Sequence, residues 1–455
     1  MRHTVRETVL RTLAAAIVLS GLVCQSACMS PGRSAAASGG LLPGGESGPW
    51  AQLKDGALDA TPAIQAALDA AAAAGGGEVS LPPGRYRLEG TLTIASGVAL
   101  SGAWEAPHHA RLDTGTVLLA VGGRGSEDGA PLIYLRPNSA LRGVTIYYPD
   151  QRIEDLVPYP WTIRGEGMHV TIENVTLVNP WRAIDLGSRG NELHLVRNVF
   201  GCPLRTGVYV NGCTDIGRIE NVHFNPHYWQ RDEGDGRPRP DFQRLLAHLT
   251  REAEAFVFGR SDWEYVLNTF CYGYRIGYRF IATEQGACNG NFLGIGSDGG
   301  PRAVVVEGAQ PYGLLITNGE FVAMHGSDPV QVEVLGGLGE GQAAPVVQFS
   351  NCAFWGPAAQ CVRIGGGRVS FSQCHFHHWG EGAGGSGRAA VEATGGALSV
   401  QNCVFSRPGR QVRLGPGVRA AIISGNLVAG RLNIESQSLG DVRIESNAAI
   451  EAGAK

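Results

Sequence analysis

A short unit recurs along this chain: two alternating apolar residues, a polar corner that is usually Asn, then two more alternating apolar residues. One copy reads Val170-Thr-Ile172-Glu-Asn174-Val175-Thr-Leu177, and another reads Ile219-Glu-Asn221-Val222-His-Phe224. Later copies are Val347-Gln-Phe349-Ser-Asn351-Cys352-Ala-Phe354, Val369-Ser-Phe371-Ser-Gln373-Cys374-His-Phe376 and Leu398-Ser-Val400-Gln-Asn402-Cys403-Val-Phe405. The corners Asn174, Asn198 and Asn221 lie 24 and 23 residues apart, Gln373 follows Asn351 by 22, and Asn426 follows Asn402 by 24. A fixed period in this range marks stacked solenoid coils. Alternation with period two makes the elements strands. The expected fold is all-β, one continuous solenoid over residues 79–450 with roughly 11–14 coils. Asn suits the corner because it tolerates turn geometry and bonds nearby backbone. Residues beside the corner point inward, so Cys352, Cys374 and Cys403 should stack as a column of small core residues.

Composition agrees. Only 17% of the 455 residues are charged and 66 are glycine, which suits short strands and tight turns. A net charge of −4 offers no basic face for nucleic acid. Lys54 and Lys455 are the only lysines, which argues against lysine-based chemistry. Arg2, Arg6 and Arg11 precede an apolar run from Leu13 to Val23, so residues 1–28 read as an export signal. Membrane contact would come only through a lipid anchor at Cys24 or Cys28. Residues 29–49 form a linker, and 50–455 form the folded domain with an insertion at 225–260. The protein is expected to be periplasmic, extracellular or on the cell surface.

Thr61-Pro62 opens a helix as N-cap and first-turn proline. It places Ile64, Leu68 and Ala71 on one face, and Gly75-Gly-Gly77 ends it. Such a helix would cover the open edge of the first coil. The stretch Thr61-Pro-Ala-Ile-Gln-Ala-Ala-Leu-Asp, followed by Gly75-Gly-Gly-Glu-Val-Ser-Leu-Pro-Pro-Gly84-Arg-Tyr and Thr91-Leu-Thr-Ile-Ala-Ser-Gly97-Val-Ala-Leu-Ser-Gly, resembles the opening of the pectate-lyase-like superfamily. More narrowly, it is similar to rhamnogalacturonase/epimerase-like proteins. The resemblance implies a single-stranded right-handed parallel β-helix with an N-terminal capping helix and a helical insertion. That superfamily includes lyases, hydrolases, epimerases and phage tail-spikes, so the fold alone names no reaction. The catalytic signatures of polygalacturonases and of calcium-dependent pectate lyases are missing, and no residue is carried over from either group.

Residues 225–262 abandon the repeat. Asn225-Pro-His227-Tyr-Trp229 leads into a charged loop from Arg231 to Asp241, then a helix capped by Asp241. Insertions in solenoids gather on one face and often wall a groove. Directly afterwards come Arg260, Asp262, Trp263 and Glu264. In a regular strand Asp262 and Glu264 share a face about 6.5–7 Å apart, a spacing compatible with paired glycosidase carboxylates. The alternative is that both are tied to Arg260, Arg275 or Arg279. Asp150, beside Tyr147, Tyr148 and Trp161, is a third candidate acid or base, or else a turn former after Pro149. Trp181, His227, Trp229, Arg260 and Trp263 complete the candidate sugar contacts. Asp298, in a glycine-rich coil, is a minor candidate. His375, His377 and His378 lack a carboxylate third ligand in their run, so no metal site is expected, and no cofactor is called for. The function expected is that of an exported polysaccharide-acting protein, a glycoside hydrolase first. A lyase drawing on Arg260, Arg275, His227 or Tyr274, or a binding protein, stands second.

Overall fold

The computed structural model describes residues 50–107, 112, 114–231, 239–336, 344–381 and 384–450. The expected export signal, the linker and most of the charged loop after Arg231 lie outside them. Pro49–Lys455 form one compact unit, built of parallel strands that each pair with the equivalent strand of the next coil.

Each coil contributes three short strands. The fourth coil shows the pattern: Thr171–Glu173 in a first sheet, a corner at Asn174, Val175–Leu177 in a second sheet, and Arg182–Leu186 in a third. The register carries this corner from coil to coil through Gly143, Asn174, Asn198, Asn221, Asn268, Gly294, Asn318, Asn351, Gln373, Asn402, Gly425 and Ser446. All twelve have positive φ, a region that Gly and Asn enter most cheaply. The expected line of Asn174, Asn221, Asn351 and Asn402 along one edge is therefore observed. Asn426 is corrected: the corner falls on Gly425, and Asn426 is buried one step inward, its amide donating to the Val400 carbonyl at 3.0 Å.

The corner amides form a ladder. Asn198 Nδ2 donates to Asn174 Oδ1 at 2.9 Å, and Asn221 Nδ2 donates to Asn198 Oδ1 at 2.8 Å. Replacing Asn198 by Ala removes both bonds and places an ordinary side chain at positive φ. The expected cost is about 2–3 kcal/mol, read as a lowered denaturation midpoint. Asn198→Gly should lose less, because glycine relieves the backbone term.

Inward residues stack in columns. Phe354, Phe376 and Phe405 lie 4.8 and 4.7 Å apart between ring centroids, and Phe256 lies 4.8 Å from Tyr278. Cys352, Cys374 and Cys403 are buried in one column as expected. The capping helix spans Thr61–Ala73 and buries Ile64 and Leu68. Its cap differs from expectation: Ala60 holds the N-cap position, and the Asp59 carboxylate accepts from the Thr61 amide at 2.9 Å. Burial alone would raise the Asp59 carboxyl; the bonds from Thr61 and Glu89 and the Arg87 charge outweigh it and hold it below the usual range.

The insertion contains a short turn of helix at His227–Gln230 and a longer helix at Phe242–Glu252, capped by Asp241 as expected. It leaves the solenoid between the second and third sheets, the edge that also carries the Asp150 loop. Arg244 comes within 4.0 Å of Glu154 in that loop.

Candidate active-site groove

The Asp262–Glu264 pair does not open onto one groove. Trp263 adopts φ 76° and has no register partner, so Asp262 opposes Asn289 while Glu264 opposes Gly290. This bulge breaks the alternation that would have kept the carboxylates on one face. Asp262 stays partly exposed, bound to Arg260 at 2.5 Å and to Gln310 Nε2 at 2.7 Å. Glu264 turns into the core, fully buried, where it meets His194 Nε2 at 3.0 Å and accepts from Ser261 Oγ at 2.5 Å. Arg275 and Arg279 pair with Glu254 instead.

Asp150 is exposed on its turn. It lies on the edge between the second and third sheets, whereas Asp262 lies on the edge between the third and first, so the two do not converge. The candidate aromatics are dispersed as well. Tyr147 and Tyr148 are buried, and the Tyr148 hydroxyl meets Thr162 Oγ1 at 2.8 Å. Trp161 stacks on Tyr209 with Arg182 over its ring. Trp181 donates to Glu127 at 2.6 Å, and Trp229 is buried. Tyr274 is buried too. Of the expected contacts, His227 alone reaches the groove described next, stacking on Phe242 and Tyr272 at 5.1 and 6.4 Å.

Charge separates the outer faces. The third sheet is laced by ion pairs, such as Arg164–Asp185 at 2.6 Å, Arg302–Glu333 at 2.9 Å and Arg363–Asp328 at 2.8 Å. The second-sheet strands from Val144 to Trp355 hold no Arg or Lys. Their outward positions fall two and four residues after each corner. The first series runs Thr176, Phe200, His223, Phe270, Gly296, Glu320, Ala353 and His375 in register. The second includes Tyr272, Asp298, Trp355 and His377.

Two of these side chains hold buried polar atoms without a partner: His223 Nε2 and Asp298 Oδ1. The Tyr228 hydroxyl, brought in by the insertion, meets His223 Nδ1 at 3.2 Å. Burial and the neighbouring His227 hold the His223 imidazole below its ordinary value, so it is neutral at neutral pH. Burial raises the Asp298 carboxyl, against the opposing pull of the Gly299 amide and His325. Burial and Asp298 together raise the Tyr272 phenol. Glu320 stands on the next coil, partly exposed, accepting from Trp355 Nε1 at 3.1 Å. A strand spacing of ~4.8 Å and a two-residue offset put the Asp298 and Glu320 Cα atoms about 8 Å apart. Trp355 is 40% exposed and, with Glu320, Ala353 and His375, lines an open cavity of about 510 Å³. The groove thus joins a carboxyl whose pKa burial raises, a second carboxyl and a partly exposed indole.

Residues 52–129 match a family model described as Rhamnogalacturonase A/epimerase, pectate lyase-like. The mannuronan C5-epimerases AlgE3 and AlgE1 of Azotobacter vinelandii are 57% and 54% identical over 58 and 57 residues, 11% of this chain in each case. The match covers only 3% and 4% of those two proteins. Among solved structures, the pre-mature gene product 12 of bacteriophage phi29 has a TM-score of 0.52 at 13% identity, over 88% of this chain and 56% of that one. The AlgE6 A-module of Azotobacter vinelandii has a TM-score of 0.48 at 18% identity, over 88% of this chain and 97% of that one. At 13% identity the likeness to gene product 12 is one of fold. The chain has the right-handed parallel β-helix fold of the pectate-lyase-like proteins, and its opening segment matches their rhamnogalacturonase/epimerase model.

Proposed function

We propose that this protein is a carbohydrate-active enzyme, a glycoside hydrolase that cuts a polysaccharide lying in the second-sheet groove. The observation that carries the reading is the partly buried Asp298 carboxyl, whose Oδ1 has no partner, one coil away from Glu320. Glycosidases need two carboxyl groups held in different protonation states. Asp298, whose pKa burial raises, would serve as the acid that gives a proton to the glycosidic oxygen. Glu320, open to solvent, takes a proton from the water that attacks the anomeric carbon. Tyr272 and Trp355 supply aromatic surface for the sugar rings. The lack of Arg and Lys on these strands favours a neutral chain over a polyanion. The names of the matched family and relatives are those of polysaccharide-acting enzymes, which agrees with the substrate class.

A second reading rests on His223. Its Nε2 has no partner and its Nδ1 meets the Tyr228 hydroxyl, an arrangement that suits proton abstraction next to a uronate carboxyl, the chemistry of a lyase or epimerase. The test is a panel of neutral and uronate-containing polysaccharides, with products read both by reducing ends and by absorbance of unsaturated uronates. Hydrolysis gives new reducing ends without absorbance. The two signals together would replace it by elimination, and neither signal would remove cleavage.

A further inference from the structure

The two ends of the solenoid differ. The helix Thr61–Ala73 closes the first coil over Ile64 and Leu68. The last described coil, residues 432–450, holds the strands Ile434–Ser436, Asp441–Glu445 and Ala448–Ile450, each paired only with the coil before it among the described residues. Its inward positions are open to solvent: Ile444 is 42% exposed, whereas Ile423, one coil earlier in the same column, is 1% exposed. Leu439 and Ile450 are exposed as well. A free strand edge invites pairing, and proteins that avoid it place lysine or proline there. These three strands hold neither. The Asp441–Glu445 strand instead alternates in sign, with Asp441, Arg443 and Glu445 outward and exposed on either side of Val442 and Ile444. Arg443 and Asp441 of one chain pair at 3.4 Å in full contact with solvent.

We propose that a second copy of this chain docks on this end, C-terminal coil to C-terminal coil, about a two-fold axis through Val442. Such a rotation turns the copy end over end, so the facing strands run antiparallel and complete each other's edge hydrogen bonds. With Val442 opposite the partner's Val442, Asp441 faces the partner's Arg443 and Arg443 faces the partner's Asp441. An axis through Arg443 would instead set Asp441 against the partner's Glu445, and like charges directly opposed are unfavourable. The sign pattern therefore selects the register as well as permitting the contact. Closing the two ends on each other covers Ile444 and its neighbours, which is the hydrophobic gain. One coil a side is near the lower end of the roughly 20–30 residues a side of a standard interface, so the dimer should be reversible.

The experiment is sedimentation velocity on the full chain over a concentration series, where a reversible species of twice the mass of one chain should appear. Arg443→Asp and Asp441→Arg each set like charges opposite one another twice, and each should raise the dissociation constant about tenfold or more. The exchange Asp441→Arg/Arg443→Asp makes the facing charges opposite again and should return the constant close to wild type. Both positions are exposed, so the fold of the single chain should not change. Independently of any variant, hydrogen exchange of the amides of Asp441–Glu445 should slow as wild-type concentration rises through the dimer transition. A single chain at every concentration, a dimer indifferent to both single changes, or an exchanged double variant that stays dissociated would overturn the proposal. Slow exchange of those amides in the single chain would overturn it too, because residues 451–455 would then be the cover of the edge.

Discussion

Asp298→Asn and Glu320→Gln should each reduce turnover about a hundredfold or more while leaving the fold and polymer binding nearly intact. That is the scale of a lost general acid or base, and the amides preserve shape. Asp262→Asn and Asp150→Asn should stay near wild-type turnover, because the first sits in an ion pair on another edge and the second on an exposed turn. The pH dependence follows from the direction of the Asp298 shift. Burial raises its carboxyl, so the protonated donor persists above the usual aspartate range, and activity falls as pH climbs through the raised value. In Asp298→Asn that alkaline limb should vanish along with most of the rate. Unchanged turnover in both amide variants would remove the pair from the chemistry.

The second large effect concerns stability. Asn191 Nδ2 donates to the carbonyls of Leu186 and Asn211, which fixes its amide and leaves Oδ1 facing His194 Nδ1 at 2.7 Å. His194 Nε2 faces Glu264 at 3.0 Å. Both ring nitrogens thus face oxygens that can accept, an arrangement that favours the imidazolium. Burial pulls its pKa down, but the Glu264 charge and the surrounding hydrogen bonds outweigh this and lift it to about 10. His194→Ala or Glu264→Ala leaves one buried charge without its partner, at an expected cost of about 3–5 kcal/mol. The double variant His194→Leu/Glu264→Met should recover much of that loss, since apolar replacement of a buried pair is often nearly neutral. The sign with pH is definite. The folded value lies above that of the unfolded imidazole, so the contribution is full below about 6.5 and disappears as pH rises through about 10. Denaturation midpoints measured from pH 6 to 10 should fall in the wild type and stay flatter in the double variant. There is little room for other repairs here: a Cβ at Gly217 would sit 2.2 Å from the His194 ring and 2.4 Å from Glu264.

The fold was legible because its signal repeats. Each coil restates the inward alternation and the positive-φ corner, so an error in one copy, such as Asn426 for Gly425, leaves the rest in register. The candidate site was less legible because it depends on a single departure. The bulge at Trp263 carries no turn residue that marks it, and without it Asp262 and Glu264 look alike. The groove residues did leave a trace. Phe200, His223, Phe270, Glu320 and His375 each fall two residues after a corner, and Tyr272, Asp298 and Trp355 fall four after. Following those two positions from coil to coil, rather than looking for carboxylates close in sequence, would have collected them on one face. The insertion brings Tyr228 to His223 and His227 to Tyr272, whereas Trp229 packs inward.

The most direct test of the central claim is isotopic. Cleavage of a polymer identified by the panel, run in ¹⁸O-labelled deuterated water and quenched before the anomeric oxygen exchanges, distinguishes water attack from proton abstraction in one mass spectrum. Hydrolysis at Asp298 and Glu320 predicts one ¹⁸O for each new reducing end and no deuterium bound to carbon. Carbon-bound deuterium, or chain cleavage without ¹⁸O, would contradict it and move the chemistry to His223 and Tyr228.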